Sequence, residues 1–98
     1  MPKDKDKEDG WVARAAGQLR NDELFDLRTN NVSVTWGATR QAALTNIAAT
    51  GLAGPFHAAE VKKINQKQGR VMPSSVPGNP NHCNLFGLTV KDFNNLFS

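Results

Sequence analysis

Apolar and polar positions alternate over residues 32–36. Val32, Val34 and Trp36 are separated by Ser33 and Thr35, and β-branched side chains dominate the run. The pattern predicts a strand with Val32, Val34 and Trp36 turned to the core and Ser33 and Thr35 turned away. The period then changes. Between Thr39 and Thr50, Leu44, Ile47 and Ala48 recur at three- and four-residue spacing. Thr39 is placed to cap this helix and Gly51 to stop it, with Leu52 as the expected apolar partner of the stop. Ala58, Val61 and Ile64 line one face of a second predicted helix, from His57 or Ala58 to Gln68, ended by Gly69.

Beyond Gly69 the pattern is extended again. Arg70-Val71-Met72 predicts a short strand, and His82 to Leu88 predicts another with Cys83 and Leu85 on one face. The last helix is signed at its start. Thr89 is a cap with Asp92 three residues on, close to a capping box, and Leu88 and Phe93 are spaced for a hydrophobic staple. Val90, Phe93, Leu96 and Phe97 supply its apolar side.

The N-terminal part reads differently. Met1 to Asp9 alternates Lys with acid and has no apolar residue after Met1, so it is expected to be a mobile charged tail. Gly10 to Arg28 carries Trp11, Ala15, Ala16 and Leu19 at roughly helical spacing and is expected to form a helix followed by a short strand. Together these elements define an α+β fold: a small mixed sheet covered by about three helices, in one domain over residues 10–98.

Composition narrows the class. Ninety-eight residues suffice for one core. A single cysteine excludes an internal disulfide and fits a reducing compartment. No apolar run is long enough to span a bilayer, and the start has no apolar signal segment, so a cytoplasmic protein without membrane contact is expected. The net charge is +3, and from Gly10 onward nine basic side chains face five acidic ones. That balance permits a nucleic-acid or nucleotide contact without demanding one. No helix-turn-helix, zinc or glycine-rich phosphate motif is present.

Candidate chemistry centres on Pro73 to Cys83, where three of the five prolines fall within eight residues. Each fixes φ and removes a backbone donor, so the segment is a stiff track delivering His82 and Cys83 to the next strand. Neighbours in a strand point to opposite faces, so His82 is badly placed as the base for Cys83, and Cys83 reads as a buried core thiol. Two histidines and one cysteine, widely spaced, lack the paired ligands of a zinc module, so no metal and no cofactor is expected. His82 remains as a general acid/base or, alternatively, as a residue that hydrogen-bonds across the loop and holds it. Arg28, Trp36, Arg70, Ser74, Asn79 and Asn81 are the candidate binding residues around it.

Two resemblances add to this. Trp36-Gly37-Ala38-Thr39, with Asn46-Ile47 and Gly51-Leu52 downstream, is similar to the pattern of ADP-ribosyltransferases, which implies a strand end and helix that hold nicotinamide. Trp36 stands where that family has His, and no later catalytic Glu is assigned. Over residues 31–88, the Ser33-Val34 strand and the late Asn79-Pro80-Asn81-His82 segment resemble small bacterial proteins of unknown function. That likeness implies a compact bacterial domain and no activity. The expected function is a small cytosolic binding module with a protein partner, one component of a two-gene toxin or defence system. The alternative is a compact enzyme directed at nucleic acid or a nucleotide, RNase-like or ADP-ribosyltransferase-like, using His82.

Overall fold

Among the described residues, five short strands pair into one antiparallel sheet, in the order His57–Glu60, Trp11–Arg14, Val32–Gly37, His82–Phe86 and Arg70–Pro73. The computed structural model describes residues 6–15, 32–52 and 54–97. In chain order the elements are β1 (Trp11–Arg14), β2 (Val32–Gly37), α1 (Arg40–Ala48), β3 (His57–Glu60), α2 (Val61–Gln66), β4 (Arg70–Pro73), β5 (His82–Phe86) and α3 (Val90–Leu96). The α+β class holds, but the sheet is not mixed. The connections explain why. β2 reaches β3 through α1 by skipping over β1, and β3 reaches β4 through α2 by crossing the whole sheet. Strands that run the same way therefore never become neighbours.

Alternation along each strand gives the sheet two different faces. Val12, Val34, Ala59, Val71, Cys83 and Leu85 pack with Val61 and Ile64 of α2 and with Leu88, Phe93 and Phe97 in the main core. Phe93 and Phe97 stack with ring centroids 4.3 Å apart, which anchors the short α3 to the sheet. On the other face, Ala13 and Ala58 meet Ala43 and Ile47 of α1 in a smaller cluster. This cluster lies over the β3–β1–β2 half only.

Thr39 Oγ1 accepts from the Ala42 amide and Thr89 Oγ1 from the Asp92 amide, as expected of both caps. The α1 face is rotated from its predicted position: Ala43 and Ile47 are buried, Leu44 is half-buried and Ala48 is exposed. The cause is close approach. A Cβ on Gly37 would sit 2.2 Å from the Ala43 backbone nitrogen, so α1 docks on Gly37 through its alanine side. Leu52, the expected apolar partner of the helix end, is 55% exposed.

Two predicted helices are strands where it matters. Trp11–Arg14 is β1, and His57–Glu60 is β3 ahead of a shorter α2. Val12 and Ala13 are both fully buried, as are Ala58 and Ala59 very nearly, one of each pair on each face. A two-faced sheet buries consecutive residues and so overrides the helical preference of alanine. The rest of the expected N-terminal helix and strand lies outside the described residues.

Residues 6–9, expected to be mobile, are strapped to the outer edge of the sheet. The Lys7 amide donates to Val71 O at 2.8 Å, Asn65 Nδ2 donates to Lys7 O, and Asp6 pairs with Arg70 at 2.7 Å. The Ser74 amide donates to His82 O, so pair 74–82 is a hydrogen-bonded pair, and alternation then turns the backbone groups of Val71 and Pro73 away from β5 to the sheet edge. Lys7 takes the Val71 carbonyl, and Pro73 has no N–H to offer. The edge is thereby closed to further strands.

Candidate functional site

Trp36 is the junction from which the candidate site is built. As the penultimate residue of β2, it is held from several directions. Its amide donates to Asn81 O at 2.9 Å, its carbonyl accepts from Asn46 Nδ2 of α1 at 2.9 Å, and its indole Nε1 donates to Asp9 O at 2.9 Å. The last bond needs Gly10. That residue has φ +84° and passes so close to the indole that a Cβ would lie 2.6 Å from three of its ring atoms. The turn at Gly10 carries the chain back over Trp36 and places the Lys7 ammonium 4.1 Å from the ring centroid.

The proline track forms the other side. The Asn79 amide donates to Val76 O, closing a tight turn with Gly78 in the left-handed region. Ser75 Oγ donates to Pro80 O, and Asn79 Oδ1 accepts from the Asn81 amide. Asn79 Nδ2 reaches down to Thr35 Oγ1 at 2.9 Å. His82 Nδ1 lies 2.7 Å from Ser74 O. A carbonyl can only accept, so Nδ1 carries a proton, and in the neutral ring the lone pair is on Nε2.

Between these two sides lies a cavity of about 60 Å³ lined by Lys7, Trp36, Pro73, Ser75, Pro80, Asn81, His82 and Cys83. Among the described residues, no carboxylate lines it. The Cys83 thiol is 1% exposed and donates weakly to Asn81 O. Burial pushes its pKa up from 9.0 to about 11, against the opposing pull of the Lys7 ammonium. At neutral pH it is a protonated thiol and a poor nucleophile.

Of the expected site residues, Trp36, Asn81 and His82 come together on the cavity. Ser74 stands beside His82 through its carbonyl, and Asn79 fastens the track to Thr35. Arg70 is elsewhere: its guanidinium lies 5.1 Å over the Phe86 ring and pairs with Asp6. Its β-strand parity sends it to the face opposite Trp36 and Cys83. Arg28 lies outside the described residues. Lys7 is the residue that sequence reasoning missed. It sits in a run of alternating charge with no local signal, and only tertiary pairing with β4 brings it to Trp36.

Among the described residues, no group of three His, Cys, Asp or Glu side chains could hold a metal ion, and no helix is long and apolar enough to cross a membrane. In comparisons with known proteins, no family model, no curated protein and no solved structure matches the chain.

Proposed function

We propose that this chain is a small protein-binding module whose contact surface is the open face of the β4–β5 pair. One observation carries the reading. Arg70 and Phe86 are direct cross-strand partners with the guanidinium stacked on the ring, and Met72, next on the same face, is 38% exposed. Val76, at the turn of the proline track, is 40% exposed. Aromatic residues, Met and Arg are the side chains that protein interfaces concentrate. Among the described residues α1 packs over β1, β2 and β3, and this half of the face is the part proposed for a partner. The proposed setting is a bacterial cytosol, with the partner encoded beside this chain as the other member of a two-gene toxin or defence pair.

The test is direct binding of the full chain to the product of the adjacent gene, followed by calorimetry. Met72→Asp and Phe86→Ala should each weaken binding by about ten-fold or more, as centrally placed contacts do. Lys62→Glu, on the exposed side of α2, should leave it unchanged. Binding that is indifferent to both patch substitutions would remove the reading.

The alternative, an enzyme directed at nucleic acid or a nucleotide through His82, has less behind it. Sites for ligands of that size are about 300–1,000 Å³, against about 60 Å³ here. His82 has Nδ1 committed to a backbone carbonyl, Ser75 is bonded within the loop, and the nearby thiol is protonated. These bonds hold the track, which is the structural role weighed for His82. RNA cleavage by the purified chain that disappears in His82→Ala would restore the enzyme reading.

A further inference from the structure

A charged segment such as residues 6–9 does not order itself. Fixing each residue costs about 1–2 kcal/mol of backbone entropy, and this segment buries little apolar surface to offset it. It is nevertheless tied at successive points. Asp6 holds Arg70, Lys7 holds Val71 and Asn65 through its backbone, and Asp9 receives the Trp36 indole. Among the side chains these ties leave over is that of Lys7. Its ammonium makes no ion pair among the described residues and rests on the Trp36 ring at the wall of the cavity.

The cavity has a definite size and sign. About 60 Å³ is room for a few waters, each of which needs about 10–15 Å³ of such space. It is too small for a ring system and large enough for one polar end group. Its lining offers Lys7 and Asn81, with no carboxylate among the described residues to compete for the cation. Asn81 spends its backbone groups on Trp36 and Asn79, and no hydrogen bond within the described residues uses its side-chain amide. An ammonium and an otherwise unused amide N–H₂, on two residues that line one small space, are donors awaiting an acceptor.

We infer that this cavity binds a small oxyanion, a single carboxylate or phosphoryl group, between Lys7 and Asn81 against Trp36. Trp36, Pro73 and Cys83 of its wall lie on the opposite sheet face from Met72 and Phe86, and the inference does not rest on the protein-binding reading. Ligand size follows from the cavity, so the anion is either free or the exposed end of a larger molecule that stays outside.

The experiment titrates sodium phosphate and, separately, sodium acetate into the full chain at constant ionic strength, following amide and indole NMR signals. Saturable shifts confined to the Trp36 indole, Lys7 and Asn81 are expected in one or both arms. The phosphate arm alone would assign a phosphoryl group, the acetate arm alone a carboxylate, and both a site for small oxyanions at large. Lys7→Met should weaken binding by about ten-fold, the worth of one hydrogen bond to a charged group. Lys7→Arg should retain most of it, and Lys67→Met, at the exposed cap that ends α2 outside the cavity, should retain all. Asn81→Ala, with backbone bonds preserved, is the second variant and should also weaken it. Shifts that rise linearly in both arms, or saturation unchanged in Lys7→Met, would overturn the inference.

Discussion

Asn79 Nδ2 donates to Thr35 Oγ1 at 2.9 Å, and the Thr35 residue it reaches is only 3% exposed. Thr35 is on the β2 face turned away from the main core, directly across from His82 in register. The proline track thus closes over a polar residue and supplies its partner. Removing Asn79 alone should cost about 1–3 kcal/mol, because the hydroxyl stays buried and unpaired. Replacing both partners should cost much less. Urea unfolding of Asn79→Ala, Thr35→Val and the double variant checks this, with the double variant expected to be more stable than Asn79→Ala.

The end of α2 makes a second prediction. Gly69 was the expected stop, yet the left-handed residue there is Gln68, with φ 69°. Gly69 is required for space instead: a Cβ would lie 2.7 Å from both Ile64 Cγ2 and Leu88 Cδ2. Gln68→Gly should therefore stabilise the fold, by about 0.5–1 kcal/mol, through relief of the left-handed conformation. Gly69→Ala should destabilise it by about 1–3 kcal/mol through overpacking. Thermal unfolding of the two variants should move in opposite directions, and equal effects would mean that the roles are wrongly divided.

What could be read ahead of the structure was what the chain signals locally. Thr39 and Thr89 cap helices by contacts three residues away, and β2 alternates on its own. The prolines between β4 and β5 announce the loop that gathers Trp36, Asn81 and His82. β1 and β3 were not legible because their evidence is in each other. Ala58 and Ala59 become strand residues only by pairing with Ala13 and Val12, more than forty positions away. Lys7 reaches the cavity because Val71 O holds its amide, and nothing within residues 6–9 foretells that bond. Arg70 was grouped with His82 by charge alone; the two share a sheet face, but the register sets Arg70 against Phe86, four residues along β5 from His82.

The strap itself can be tested through Gly10. Gly10→Ala places a methyl against the Trp36 indole at a φ that L residues rarely adopt. It should free the segment, break the indole bond to Asp9, and expose Lys7. Trypsin should then cut after Lys7 well before the core is attacked, whereas the parent chain should resist at that bond. Asp6→Asn, by contrast, should change stability by less than about 1 kcal/mol, because its partner Arg70 is largely exposed. Equal trypsin sensitivity in the parent and Gly10→Ala would show that the strap does not depend on this turn.

Cys83 gives the last prediction, in alkaline solution. Burial raises its folded pKa from 9.0 to about 11, and unfolding returns it to the ordinary value. The folded state therefore holds the thiol proton more tightly. Its contribution to stability is full below about pH 9 and is lost as pH rises through about 11, and two pH units correspond to on the order of 2–3 kcal/mol. Cys83→Ala, which cannot titrate, should flatten that part of the curve measured by urea unfolding, although it also leaves a small cavity. Lys7→Met should steepen it, since removing the ammonium takes away the one influence that lowers the pKa. Iodoacetamide supplies an independent reading. Alkylation of the folded chain at mildly alkaline pH should be slow and should accelerate sharply in urea. Fast alkylation of the native protein, matched to a free thiol, would mean that Cys83 is open and ionised, and would return it to the list of possible nucleophiles.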